Sequence, residues 1–414
     1  MEYNPSFYSY LLTRLPLVLT FATGYIVYLL LATTRLTDAF VLWSLKRSRN
    51  NLKIFLAYII GSAALLSFFI PNAITVLTLL PFLKAMDRDI VVQDNDRRLT
   101  TALTLSVIYG ANIGGMGSLI GSPANLLLIG ALDLYRVPGR EQISFLNWFI
   151  WSVPLVISFT AVAWALLATF GVPKTIQKSA VGIYGIKRCL SLSLEQKCAG
   201  LLFAFFLVFW ILEGILKELL PVFVRCEPYI CIGFFVLFAY LAFVRPQGQG
   251  RAPLLRLKYI VSGLPKRGIF FLCIVALIIP LLRVFQLDKD AAGVFLDFIR
   301  PETSAFPVFL GTTLGVIFLT EILSNTVVST AFFPVVYFAS SAYNIPPLIL
   351  MIAVSVASTC AFMTPIATPC NALAFGEMKR TSLVKMLVLG FPLNIFGALL
   401  ITLWLQFVIP LVYS

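Results

Sequence analysis

Between Glu302 and Glu377 the chain carries one charged side chain, Glu321. So long an apolar run suits a bilayer better than a water-soluble core, since one helical crossing needs roughly 20 apolar residues. The composition agrees: 60% of the residues are hydrophobic and 12% are charged, against roughly 25% charged in a soluble chain. An integral, multi-pass protein of the cell (inner) membrane is expected, with the lipid bilayer as its solvent. No short basic region followed by a cleavage site opens the chain, so no removable signal peptide is expected. The absence of histidine excludes imidazole relays, histidine triads and His-containing zinc sites. The 7 cysteines show neither CxxC nor metal spacing. They read as small apolar fillers, with Cys226 and Cys231, placed in an outer loop, the one pair that could form a disulfide.

Apolar stretches occupy residues 15–34, 52–70, 74–86, 100–132, 145–173, 198–216, 222–244, 268–285, 305–340, 346–376 and 386–412. Two regions are too long for one crossing and break in the middle. Residues 52–86 break at Pro71-Asn72, and 305–340 break around Ser324-Asn325-Thr326. Both read as re-entrant hairpins, whose non-helical tips are tolerable only when buried in protein or lining a cavity. With hairpins returning to their own side and the loop after 15–34 in the cytoplasm, the inner segments are Arg35–Lys53, Lys84–Arg98, Lys174–Lys197, Arg245–Arg267 and Lys379–Lys385. They hold 23 of the 31 cations. The net charge of +13 is thus explained by topology, and no nucleic acid is implied. Residues 36–46 and 288–300 look amphipathic and interfacial, 245–267 reads as a linker, and Glu213 reads as interfacial.

The two hairpins echo each other. Asn72 is followed by Pro81 and Asn325 by Pro334, nine residues on in each case. Downstream, Gly121-Ser122-Pro123-Ala124-Asn125 matches Ala367-Thr368-Pro369-Cys370-Asn371, and each asparagine has a glycine five residues later, Gly130 and Gly376. The motif pairs lie 53 and 46 residues apart. The expected fold is an all-α polytopic membrane protein of two repeats, each a re-entrant hairpin followed by a broken transmembrane helix. Five crossings between the hairpins make the repeats inverted, so their tips can meet near the midplane, as in secondary transporters.

A broken helix exposes free N–H groups on one side of its gap and free carbonyls on the other. The first suits a carboxylate or sulfate oxygen, the second a desolvated Na⁺. The core offers Asn72, Asn112, Asn125, Asn325 and Asn371 with hydroxyls at the breaks, and no Lys or Arg. Such polar groups also join membrane helices at roughly 0.6–2 kcal/mol each. Their clustering at matched breaks favours a binding site. Glu321 is left open between protonated structural acid, cation ligand and proton carrier.

At these residues the chain resembles the divalent anion:sodium symporter family. Thr320-Glu-Ile-Leu-Ser-Asn-Thr326 is similar to that family's second Ser-Asn-Thr hairpin, and Ser358–Gly376 is similar to its most diagnostic segment. Ile113–Asn125 looks like the first-repeat counterpart. The resemblance covers roughly residues 50–135 and 305–410. It implies an elevator-type carrier whose transport half slides against a dimer-forming scaffold. Carried over by position, one Na⁺ site uses Ser67, Asn72 and Gly121, the other Thr320, Leu323, Asn325 and Ala367. The substrate falls to Asn72, Ser122, Pro123, Asn325, Thr326, Thr368 and Pro369. This chain departs from the pattern at its first tip, where Pro71 and Ala73 flank the asparagine, and in having one span before its first hairpin.

The expected domains are 1–50 (N-terminal span), 51–135 (first transport half, hairpin 52–87 and broken helix 100–132), 136–303 (connecting and scaffold helices) and 304–414 (second transport half, hairpin 305–340 and broken helix 346–376, with the last span). The expected function is Na⁺-coupled di- or tricarboxylate symport, with a small anionic substrate, a homodimer, no cofactor and no enzymatic activity. A proton-coupled or exchange carrier, or one for sulfate-like or arsenite-like oxyanions, is the alternative. No nucleophile–base pair or nucleotide loop supports a membrane enzyme. The inverted topology predicts that, with Cys226 and Cys231 replaced, a single cysteine within 340–345 reacts with an impermeant thiol reagent from outside. One within 88–96 should react only from inside, and labelling of both from one face would remove the inversion.

Overall fold

The structure is a computed structural model that describes residues 7–36, 47, 51–91, 97–172, 192–246, 252–263 and 304–413. Among them everything regular is helical, apart from an isolated antiparallel bridge between Pro246 and Pro253. Five helical stretches are long and apolar enough to cross a membrane: Phe145–Gly171, Leu194–Leu216, Arg225–Phe243, Asn325–Tyr343 and Leu383–Val412. The span expected at 268–285 and the interfacial stretch at 288–300 lie outside the described residues, as does nearly all of 36–46.

The described chain forms two compact units. The first contains α1 (Phe7–Thr34), the opening turn of α6 (Phe145–Leu166), α7 (Leu194–Leu219), α8 (Pro221–Phe243) and the short α9 (Lys258–Gly263). Its helices are joined by aromatic and polar side chains: Phe209 stacks on Phe234 with centroids 3.6 Å apart, and the Trp210 indole donates to Thr23 Oγ1 at 3.1 Å. A serine N-cap with a reciprocal Gln196 starts α7, the capping box that satisfies two orphan N–H groups. One sequence reading is corrected here. Cys226 and Cys231 sit on α8, not in a loop; five residues of helix turn them to different faces. Glu213 of α7 is buried against its neighbours. Of the expected linker 245–267, the described residues 245–246 and 252–257 are non-helical and 258–263 form α9.

The second unit contains both hairpins and both broken helices. Its first hairpin is α2 (Leu52–Ser67) and α3 (Asn72–Val91), followed by the broken pair α4 (Arg97–Gly115) and α5 (Pro123–Leu134). The second is α10 (Ala305–Thr320) and α11 (Asn325–Ser340), followed by α12 (Pro347–Ala357) and α13 (Pro369–Glu377). The body of α6, α14 (Leu383–Phe407) and the terminal turn α15 (Ile409–Val412) complete it. The two interruptions expected in the hairpins fall at residues 68–71 and 321–324. Each hairpin lays its second arm on the far half of the other repeat's broken helix, α3 on α13 and α11 on α5.

Close packing of α2 on α4 depends on small residues. Gly110 and Gly114 share one face of α4, four residues apart, and lie against Ile60, Ala63 and Ala64 of α2. Apolar burial gives little drive between helices in lipid, so backbone approach at small residues does the work. At one end of the unit, Thr381 donates to Thr104 Oγ1 at 3.0 Å and Ser382 N to Thr101 Oγ1 at 3.0 Å, with Lys84 paired to Glu377 beside them in sequence. That ammonium holds the exposed Glu377 carboxyl below the usual carboxylate range. Contacts elsewhere join Tyr135 to Tyr337, centroids 4.7 Å apart, and Gly139 to Leu348.

A methyl group on Gly114 would collide with the backbone of Ala64, whereas one on Gly61 meets nothing within 4 Å. Gly114→Ala should therefore destabilise the protein by about 1–3 kcal/mol, read as a lowered melting temperature in detergent, and Gly61→Ala should not. Equal melting temperatures for the two variants would contradict this account of the packing.

Candidate functional site

The first tip is the turn from Ser67, the last residue of α2, to Asn72, the first of α3. Ser67 Oγ donates to Asn72 Oδ1 at 2.8 Å. The second tip repeats this between Thr320 and Asn325, also at 2.8 Å. Both bonds bridge five residues, and each ties the end of one arm to the start of the next. In each repeat a hydroxyl from the broken helix also donates to the first carbonyl of the tip: Ser118 to Phe68, and Thr364 to Glu321.

The broken helices are held by a second repeated device. Asn125 Nδ2 donates to Gly115 O at 3.2 Å and Ser118 O at 2.7 Å. Asn371 Nδ2 donates to Ala361 O and Thr364 O, both at 2.9 Å. In both repeats the asparagine reaches back ten and seven residues. The half-helix that ends at the gap leaves carbonyls without intrahelical partners, and the amide supplies them. Ser122 and Thr368 are the N-caps of α5 and α13, accepting from Ala124 N at 3.3 Å and Asn371 N at 3.2 Å, with Pro123 and Pro369 at the first helical position. Proline suits that position because its missing N–H would be unpaired there anyway.

Glu321 has a defined place in the second repeat only. Its Oε1 accepts from Phe362 N at 2.6 Å, Met363 N at 2.8 Å and Asn394 Nδ2 at 2.8 Å, and its Oε2 from Thr364 N at 2.9 Å. The carboxylate thus collects the backbone N–H groups of the gap, the arrangement that suits an acceptor-only side chain. These contacts are structural, but both oxygens accept, which differs from the protonated structural acid among the roles left open by the sequence. Gly390 of α14 lets the Phe362 backbone come close, and Asn394 lies one turn beyond it. In the first repeat Phe68 stands in the corresponding place, its ring against Gly117. The gap N–H groups of Met116 and Gly117 bond Ile113 O at 3.3 Å and Gly114 O at 2.9 Å instead.

Asn112 joins the repeats. Its Oδ1 accepts from Asn72 Nδ2 at 3.3 Å, and its Nδ2 donates to Ala361 O at 2.8 Å and Asn371 Oδ1 at 3.0 Å. Cys370 Sγ lies 3.0 Å from the same Oδ1. In the reverse direction Ser355 of α12 donates to Asn125 Oδ1 at 2.9 Å. Gly121 sits where carbonyls converge: an added Cβ would lie 2.8 Å from both Ser67 O and Gly115 O.

The residues expected at the site thus fall into two sets. Ser67, Gly121, Ser122, Thr320, Ala367 and Thr368 are buried in the frame, while Asn72, Asn325 and Thr326 are half-buried and Leu323, Pro123 and Pro369 exposed. Direct hydrogen bonds pair Ser67 with Asn72 and Thr320 with Asn325; none links the first tip to the second among the described residues. The sequence reading assigned no role to Asn112 as a bridge and missed Ser118, Ser355 and Asn394. Asn394 had a signal, one of two amides, with Gln406, in the apolar run of 386–412.

The model of the citrate transporter family matches residues 12–247. A protein of Staphylococcus saprophyticus called sodium-dependent dicarboxylate transporter SdcS is 28% identical over 371 residues, 86% of this chain and 69% of that one. Its namesake in Staphylococcus aureus (strain bovine RF122 / ET3-1) is 25% identical over 375 residues, 87% of this chain and 70% of that one.

Glu321→Gln keeps the shape but turns an acceptor into a donor facing N–H groups. A hydrogen bond to a charged group is worth about 1.5–3 kcal/mol, so the loss should be at least of that order. A clearly lowered melting temperature in detergent is expected, and an unchanged one would show that Glu321 does not hold the break.

Proposed function

The chain belongs to the citrate transporter family, and on that premise we propose that it couples Na⁺ entry to the uptake of di- or tricarboxylates by an elevator mechanism. The family is one of membrane transporters, so the protein is an integral membrane carrier and not an enzyme. The observation that carries the proposal is the doubled hydrogen-bond frame: hydroxyl to asparagine across each tip, and asparagine to carbonyls across each break. Such a frame keeps non-helical backbone at membrane depth, next to half-buried amides and hydroxyls that suit an anion.

We assign the roles as follows. Asn325, Thr326 and the amide of Asn72 hold carboxylate oxygens, assisted by the N-terminal ends of α5 at Ser122-Pro123 and α13 at Thr368-Pro369, where the helix dipole favours negative charge. Carbonyls and side-chain oxygens of Ser67, Asn72 and Gly121 take one Na⁺; Thr320, Leu323, Asn325 and Ala367 take the other. The converging carbonyls beside Gly121 support the first assignment. With no Lys or Arg in this core, the cation supplies the positive charge that a bound carboxylate needs. Na⁺ and anion therefore stabilise each other, and neither crosses readily alone.

Inverted repeats are supported by which ends meet. Lys84 of α3 lies with Glu377 of α13 and, through Thr101 and Thr104, the start of α4 lies with residues 381–382. Tyr337 near the end of α11 lies instead with Tyr135 just past α5. The open ends of the two hairpins thus keep different company, as hairpins entering from opposite faces would. In this reading 51–135 and 304–414 form the moving part, with 1–50 and 136–303 supplying the scaffold of a homodimer. The grouping of both hairpins and both broken helices in one compact unit supports it.

Purified protein in liposomes should accumulate labelled succinate when Na⁺ is high outside, and much less under a proton or K⁺ gradient. Asn325→Ala should lower that uptake by tenfold or more without loss of a monodisperse fold, since a buried or half-buried polar contact to a charged group commonly carries about tenfold or more in affinity. Wild-type rates in a well-folded Asn325→Ala protein would remove the site assignment. Uptake driven equally by a proton gradient would replace Na⁺ as the coupling ion.

A further inference from the structure

The two tips occupy matching places in their frames, yet they do not offer the same chemistry. At the second, Ser324 and Thr326 each add a hydroxyl to the amide of Asn325, all three residues being half-buried. Ser324 Oγ accepts from Val327 N at 3.4 Å, which leaves its own O–H to donate. The Asn325 Nδ2 has no hydrogen-bond partner among the described residues, because the Thr320 bond uses only its oxygen. At the first tip, Pro71 and Ala73 replace the two hydroxyl residues and are half-buried in the same way. One N–H of Asn72 is drawn back to Asn112 Oδ1 at 3.3 Å. Asn112 is itself fixed to the second break by Ala361 O and Asn371 Oδ1. Nothing in the second repeat pulls Asn325 Nδ2 away in this manner among the described residues.

From this contrast we infer that the carrier grips its substrate unequally: the second tip takes a carboxylate, and the first presents a largely apolar end, so anions with a single charged end are accepted alongside dicarboxylates. The inference rests on the proposed carboxylate transport and deepens it by naming the substrate class. The physical reason lies in what each kind of surface can reject. A site built to hydrogen-bond a polar group excludes analogues that lack the group by roughly 10⁴-fold or more, because its own donors are left unpaired. An apolar surface without dedicated donors leaves nothing unpaired, and its discrimination is limited to roughly 10–200-fold. Pro71 and Ala73 leave no side-chain donor unpaired when a methyl ester or methyl group replaces the second carboxylate. The remaining side-chain N–H of Asn72 can still receive a second carboxylate, so dicarboxylates are not excluded.

The test is competition in liposomes holding the full-length protein, with labelled succinate driven by a Na⁺ gradient. The competitors are unlabelled succinate and its monomethyl ester, which has the same chain length and one charge fewer. The half-ester should inhibit with an apparent affinity within about tenfold of succinate. Rejection of the half-ester by more than about 100-fold, with succinate uptake intact, would overturn the inference and leave the transport proposal standing. Absence of Na⁺-driven succinate uptake would instead overturn the transport proposal, and the inference with it. Pro71→Ser with Ala73→Thr should then raise the preference for succinate over the half-ester by about tenfold or more. Ala73→Thr alone, which leaves the proline before α3 in place, should shift it in the same direction if the double variant fails to fold. Tolerance of the half-ester that neither variant changes would place its origin away from the first tip and refute the assignment.

Discussion

A helix that stops inside a bilayer leaves backbone groups where no water can reach them, and each unpaired group in hydrocarbon costs several kcal/mol. Everything distinctive in this protein follows from how those groups are satisfied. Asn125 and Asn371 supply donors to the carbonyls of their own gaps, and Glu321 supplies acceptors to the N–H groups of the second. The side chains proposed to face a substrate are available only because others have already met the backbone's demands. Ser122 and Thr368 illustrate the division: their hydroxyls cap α5 and α13, so what they offer a ligand is mainly the helix end behind them.

The same constraint explains why the repeats are tied to each other. Asn112 connects the first tip to the second break, and Ser355 connects the second broken helix to the first. Amides are suited to this, since each can donate and accept at once without bringing in a charge. Their reach is short, and Gly110 and Gly114 let α4 approach α2 closely enough to position them. Where a charge does enter, at Glu321, it is enclosed by N–H donors and by Asn394, itself buried. The carboxylate also breaks the symmetry of the frame, because Phe68 takes the corresponding place in the first repeat and covers Gly117 with a ring.

Much of this was legible in the sequence. The hairpin interruptions expected at Pro71-Asn72 and at Ser324-Asn325-Thr326 coincide with the ends of the helical arms, because proline and asparagine at such points stop one helix and start another. The matched motifs Ser122-Pro-Ala-Asn125 and Thr368-Pro-Cys-Asn371 marked the two breaks, and the helices resume at Pro123 and Pro369. Another reading failed for an identifiable reason. The outer loop expected to hold Cys226 and Cys231 is absent at this point, because α7 and α8 are separated by Leu220 alone.

What the sequence determined by itself is local: which segments are apolar enough to leave water, where each helix must stop, and which residue types stand at the stops. Those properties depend on hydropathy, on the missing N–H of proline and on the short polar side chains of Ser, Thr and Asn, all readable one window at a time. Only the tertiary structure decided who satisfies whom. That Asn371 answers Ala361 and Asn112, that Glu321 closes the gap at Phe362–Thr364, and that Asn72 is drawn to Asn112 while Asn325 keeps its amide hydrogens all depend on groups up to hundreds of residues apart. A hydrogen bond acts over about 3 Å, so its partner is set by the packing of helices and not by the order of residues along the chain.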